Sequence, residues 1–258
     1  MAFTVEHLEF YLAVVVRIAG FVHTAPFFGL SNIPQRAKLL LSMATALVIY
    51  FVLPYETLEY AGVIGYAGLV ILEAIAGMLL GLFANLAYLI LQFAGQLIDT
   101  EVGFSMAMTM DPSSRMQVTV SSNILNYAVM LTMVATNLHL YILRAVFDSF
   151  ILIPVGKVSL SPLLYEGYLG FLLDYMVLAF RIVLPIFAAL LVVNAVLAIL
   201  AKASPQLNMF VVGFQLKIFV GLAVLTLMML ILPGISDIIF EKMMEMLRMA
   251  AAYLMPQG

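Results

Sequence analysis

Five long apolar stretches of this chain contain no Asp, Glu, Lys or Arg: Leu39–Tyr55, Ala74–Ile98, Met116–Leu143, Ile182–Ala201 and Ile218–Ser236. About 20 apolar residues in a helix cross the hydrocarbon core of a bilayer. Two weaker candidates are Phe10–Leu30, interrupted by Arg17 and His23, and Leu160–Phe180, interrupted by Glu166 and Asp174. No run alternates with period two over ten residues, which argues against an outer-membrane barrel. The expected fold class is all-α: a polytopic, membrane-type protein of long apolar helices and hairpins.

Composition closes off most other classes. Hydrophobic residues make up 65% of the 258 and charged ones only 10%. Soluble domains have roughly 45–50% and 25%. So much apolar surface excludes an ordinary soluble enzyme and a disordered regulator. A net charge of −3 offers no basic patch for nucleic acid. No cysteine is present, which removes disulfides, thiol catalysis and Cys-ligated metals. The first ten residues carry Glu6 and Glu9 and no basic residue, unlike a secretory signal peptide, so the first segment is expected to be retained.

Turn residues punctuate the runs: Ser31–Pro34, Pro54, Asp99–Gln117, Pro154–Gly156, Lys202–Gln206 and Pro233–Gly234. Beyond Pro233, Asp237, Glu241, Glu245 and Arg248 recur at helical spacing, which predicts a C-terminal amphipathic helix that lies on a surface or packs on a partner and is not a span. Arg36 and Lys38 place the first connection on the cytoplasmic side, and later loops add little orientation signal.

Catalytic patterns are missing. His7, His23 and His139 form no metal-ligand cluster, and no phosphate-binding loop or nucleophile elbow occurs. No enzyme activity, cofactor or metal is therefore expected.

Four ionisable residues interrupt or border the apolar segments: Arg17, Glu73, Asp174 and Arg181. A charge at the bilayer centre costs at least ~2.5 kcal/mol, so such groups are paired, wet, or snorkelling to headgroups. Buried pairing, snorkelling and a polar substrate path all remain open for them. Gly77 and Gly81 form a Gly-x-x-x-Gly that suits close helix packing. The stretch Gly103-Phe104-Ser105-Met106-Ala107-Met108-Thr109-Met110 alternates flexible methionines with small residues, which fits either a deformable seal or an apolar packed loop. Asp111 followed by Pro112 reads as the cap and first residue of a helix running on to Leu143.

The most specific stretch is Ala203 to Lys217, with Pro205-Gln206-Leu207-Asn208 at its core and Gly213-Phe214 after it. With Arg17, Pro26, Pro34, Gly103, Asp111-Pro112, Ser149-Phe150 and Pro154-Val155-Gly156 in order, the chain resembles the FliR/SctT family of type III secretion export proteins. That resemblance implies a non-enzymatic subunit of the flagellar protein export gate. The partners it implies are FliP-like and FliQ-like subunits, an FlhB-like export protein and the unfolded exported proteins, in the bacterial inner membrane within the flagellar basal body. It implies one domain over 1–258: a FliP-like part at about 1–157, with the plug loop at 99–117, and a FliQ-like part at about 158–258. It makes residues 103–110 the pore plug. A secondary transporter or channel for a small solute is the alternative, which would need paired ionisable groups and broken helices near the midplane.

Overall fold

The computed structural model describes residues 5–30, 32–55, 57–104, 119–162, 164–204, 206 and 208–256. Among them every regular element is helical, as the apolar runs require. In chain order these are α1 (Val5–Thr24), α2 (Gln35–Val52), α3 (Gly62–Val102), α4 (Val120–Ala135), α5 (Leu138–Leu152), α6 (Leu164–Ala203) and α7 (Met209–Met228). A 3-10 turn, Met229–Ile231, then leads directly into α8 (Leu232–Leu254). By length and composition, four described segments can cross a membrane: Gln35–Val52, Gly62–Val102, Gly167–Ala203 and Phe210–Leu254. The broken pair α4 and α5 makes up to five.

Several boundaries differ from the apolar runs. Met116–Leu143 is not one helix. α4 starts at Val120 with Thr119 in the N-cap position, and the helix breaks after Ala135, where Asn137 adopts a left-handed φ of 60°. Asn is one of the few residues that visits this region readily. The runs on either side of Arg181 fuse into the 40-residue α6, which passes through Pro185 unbroken. Pro233 does not end the last helical stretch either. It is the second residue of α8, where a missing N–H is tolerated. The tail forms α8, an amphipathic helix joined to α7 through the 3-10 turn. Its charged residues Asp237, Glu241, Glu245 and Arg248 are exposed, while Ile239, Met243, Met246 and Ala250 are buried.

α3 is 41 residues long. At 1.5 Å per residue it measures roughly 60 Å, about twice the ~30 Å hydrocarbon core.

The chain forms two compact units. The first comprises Met1–Ala87, Asn137–Gly170 and Phe240–Gly258. Within it, α1 and α2 pack antiparallel: Phe10 and Tyr11 lie against Tyr50, and Tyr11 Oη donates to the Met43 carbonyl at 3.2 Å. Lys38 is buried and donates to the Gly29 carbonyl at 2.9 Å. Its charge is thus used inside the hairpin, one reason the orientation signal is weak. The end of α8 is fixed by backbone donors from Ser159 and Ser161, which satisfy the carbonyls of Leu254 and Tyr253 at 3.1 and 3.0 Å.

The second unit comprises Tyr88–Thr136 and Phe171–Ile239. Here Phe93 packs on Tyr175 and Phe180, and the Tyr175 hydroxyl donates to the Leu89 carbonyl at 3.3 Å. Gly95 and Gly221 let neighbouring elements come close: a Cβ on Gly95 would lie 2.3 Å from Ser122 N, and one on Gly221 2.5 Å from Val102 Cγ2.

Candidate functional site

Within the first unit, α1 and α3 run in the same direction and touch backbone to backbone. Gly20 lies on Ala74 and Met78, Gly77 on Arg17, and Gly81 on Phe21 and Thr24. The Thr24 hydroxyl donates across the crossing to the Met78 carbonyl at 3.1 Å. Small residues at helical spacing permit this approach. They also bring together the two charges that stand one turn away.

Arg17 and Glu73 are both 0% exposed. Their carboxylate–guanidinium contact is bidentate: Arg17 Nε donates to Glu73 Oε2, and Nη2 donates to Oε1 at 2.9 Å. The remaining guanidinium nitrogen, Nη1, donates to the Ile153 carbonyl at 2.8 Å, and the Gly156 N–H donates to Glu73 Oε1 at 2.8 Å. Phe150 covers the guanidinium, its ring centroid 4.3 Å from Cζ. Each of the three guanidinium nitrogens thereby donates one hydrogen bond, which helps an ion pair persist away from water. The pair joins α1, α3, the end of α5 and the Pro154–Gly156 turn. It is a fastening with no open position for a ligand. The other two sequence candidates, Asp174 and Arg181, are exposed. They lie on α6, much of whose apolar surface is uncovered within this chain, so they do not join this site.

At one end of the same unit, Tyr60, which precedes α3, donates to Glu9 Oε2 at 2.6 Å, and Tyr66 donates to the Glu9 carbonyl at 3.0 Å. The hydrogen bond to Glu9 pushes Tyr60 up from 10.0 to about 12. A raised pKa means that this contact stabilises fully below the unfolded tyrosine value of about 10 and is lost as pH climbs through the folded value. Glu9→Gln removes the negative acceptor, so ultraviolet phenolate titration should show Tyr60 ionising nearer ~10. An unchanged titration would separate Tyr60 from Glu9.

In the second unit, Asp99 is a residue that sequence reasoning passed over as the start of a polar interruption. It is buried, and its Oδ1 accepts from the Ser121 N–H at 3.1 Å. A carboxylate from α3 thus occupies the N-terminus of α4, where the helix dipole favours negative charge. Its position directly after the charge-free stretch Ala74–Ile98 was the available signal. The helix start expected at Asp111-Pro112 falls, together with Ser105-Met106-Ala107-Met108-Thr109-Met110, outside the described residues. Gly103 and Phe104 are described. Gly103 ends α3 with a φ of 97°, against the Phe214 ring, in a conformation suited to glycine.

Of the Pro205-Gln206-Leu207-Asn208 turn, Gln206 and Asn208 are described, and Pro205 and Leu207 lie outside. Asn208 occupies the N-cap position of α7, but its side chain makes no capping bond. Its backbone carbonyl accepts from Val211 and Val212 at 3.1 and 3.2 Å. The turn is held through the main chain. Among the described residues, no group of His, Cys, Asp and Glu could hold a metal ion.

The sequence matches the bacterial export proteins, family 1, across residues 8–243. It is 30% identical over 235 residues to the flagellar biosynthetic protein FliR of Pectobacterium carotovorum subsp. carotovorum, covering 90% of this chain and 88% of that protein. It is 29% identical over 245 residues to FliR of Bacillus subtilis strain 168, with 92% and 93% covered. With FliR of Escherichia coli strain K12 the identity is 27% over 245 residues, with 93% and 92% covered. Near-complete coverage on both sides, together with an all-helical apolar fold, means that the chain belongs to the bacterial export proteins, family 1, as a member of the FliR family.

Proposed function

We propose that this chain is a non-enzymatic subunit of the flagellar type III protein export gate. In this reading FliP- and FliQ-like subunits surround it and an FlhB-like protein joins the same core. The assembly sits in the bacterial inner membrane within the basal body, and unfolded flagellar proteins pass through it. The observation that carries the reading is the end-to-end similarity to proteins named flagellar biosynthetic protein FliR. The uncovered apolar surface supports it. Phe51, Val63, Ile64, Leu173, Phe219 and Leu230 all stand exposed along helices of spanning length. Lipid alone cannot cover both ends of a helix as long as α3, so protein partners are the natural cover. The division into a FliP-like part at about 1–157 and a FliQ-like part at about 158–258, with residues 103–110 as plug, completes the proposal.

The test is export in a strain lacking the chain. Flagellar subunits should remain inside the cell, and the wild-type chain should restore their secretion. A chain lacking residues 103–110 should restore assembly of the complex and leave it permeable to ions. Normal secretion without the chain would remove the proposal. A tight membrane with the loop deletion would remove the plug assignment alone.

A further inference from the structure

Wholly within the second unit, a cavity of about 360 Å3 lies where the end of α3 meets α6 and the first turns of α7. That volume falls within the roughly 300–1,000 Å3 of ordinary ligand sites. Its lining includes Glu101, Asn194 and Lys217 beside the rings of Phe210 and Phe214. Each of the three polar side chains is half-buried. None of them makes a hydrogen bond or ion pair with a described residue, and no contact joins Glu101 to Lys217. Glu101 also borders a second cavity, of about 300 Å3, whose remaining lining is apolar and includes Phe180 and Phe187.

Half-buried polar groups without partners cost free energy until an occupant or water meets them. Here the unmet groups are one anion, one cation and one amide. A ligand of single charge would be attracted by one of Glu101 and Lys217 and repelled by the other. A phosphate would call for several convergent donors, and Lys217 is the only cation among the described residues of the lining. A peptide group suits the set better. It carries one donor and one acceptor, which the amide of Asn194 can meet together. The mixed charges then tolerate side chains of either sign, and the aromatic and apolar walls accept nonpolar ones. Binding of this kind reads main chain and not sequence.

We propose that this pair of cavities holds an extended segment of the polypeptide being exported. Asn194 bonds its backbone, Glu101 and Lys217 flank it, and Phe210 and Phe214 lie along its side chains. The inference rests on the export-gate reading and adds to it a place where the moving chain is touched.

The experiment uses the intact export complex in cells, with an exported protein stalled by a folded C-terminal fusion. A photo-crosslinking amino acid replaces Phe210, which is 68% exposed, or Phe51, which is 76% exposed and lies in the first unit. Adducts with the stalled polypeptide are expected from position 210 and not from position 51. Asn194→Ala should weaken the adduct and slow export about fivefold, the loss of one ordinary hydrogen bond, and Asn194→Gln should recover part of it. Adducts at 210 only with lipid or a partner subunit, or none with the stalled chain while export continues, would overturn the inference and leave the gate reading intact. Export that proceeds without this protein would overturn the gate reading itself.

Discussion

Glu73→Ala should leave almost no protease-resistant protein in the membrane. The substitution strips Arg17 of its bidentate partner and leaves a guanidinium charge at a site with 0% exposure. Breaking a buried pair from one side costs about 3–5 kcal/mol, against a total stability of about 5–15 kcal/mol for a typical domain. It also orphans the Gly156 N–H, which Glu73 now accepts. Arg17→Lys should do little better. A lysine ammonium cannot reach two carboxylate oxygens and the Ile153 carbonyl as one planar fork. The paired replacement Arg17→Met with Glu73→Leu removes both charges together and should recover much of the lost protein. Recovery should stop short of wild type, because the buried Ile153 carbonyl stays unsatisfied at about 1–3 kcal/mol and the Gly156 N–H loses its carboxylate partner. Limited proteolysis of membranes gives the comparison. A Glu73→Ala chain as abundant and as resistant as wild type would show that the pair does not hold the unit together.

Gly77→Ala should open the α1–α3 crossing, and Gly68→Ala on the same helix should not. A Cβ at position 77 would stand 1.9 Å from the Arg17 carbonyl oxygen and 2.8 Å from its carbon. Both are main-chain atoms of a packed helix and cannot swing away. Overpacking of this kind costs about 1–3 kcal/mol and more when backbone must move. It would also displace Arg17 from Glu73, so the two effects should not add independently. Position 68 has nothing within 4 Å. Alanine there should be neutral or gain about 0.5–1 kcal/mol from helix propensity. Melting of the purified complex separates the cases, and equal destabilisation by both variants would refute the crossing as the cause.

These residues show what could be read in advance. Charge-free runs found the helices because hydropathy follows from composition alone. The same runs missed the break at Asn137, since a left-handed backbone angle leaves no mark on hydropathy. They split α6 at Arg181, since an exposed arginine interrupts a run without interrupting a helix. The spacing of Gly77 and Gly81 pointed to a close crossing, and a Cβ at either would meet the main chain of α1. Arg17 and Glu73 stood out singly as costly charges. Their pairing did not, because the partners are 56 residues apart and meet only once two helices have packed. Asn208 stood out as part of a motif, and it acts through its backbone carbonyl. Lys38 looked like a topological marker and serves a glycine carbonyl.

The length of α3 bears on how such a protein is made. A helix of roughly 60 Å would need to lean about 60° to hide within a ~30 Å core, beyond the 0–40° range that spanning helices adopt. A newly synthesised copy therefore cannot come to rest as an ordinary resident of the bilayer. In the export-gate reading proposed above, neighbouring subunits enclose the remainder of α3. On that reading the supply of those neighbours, and not of this chain, is expected to set how many finished copies a cell keeps.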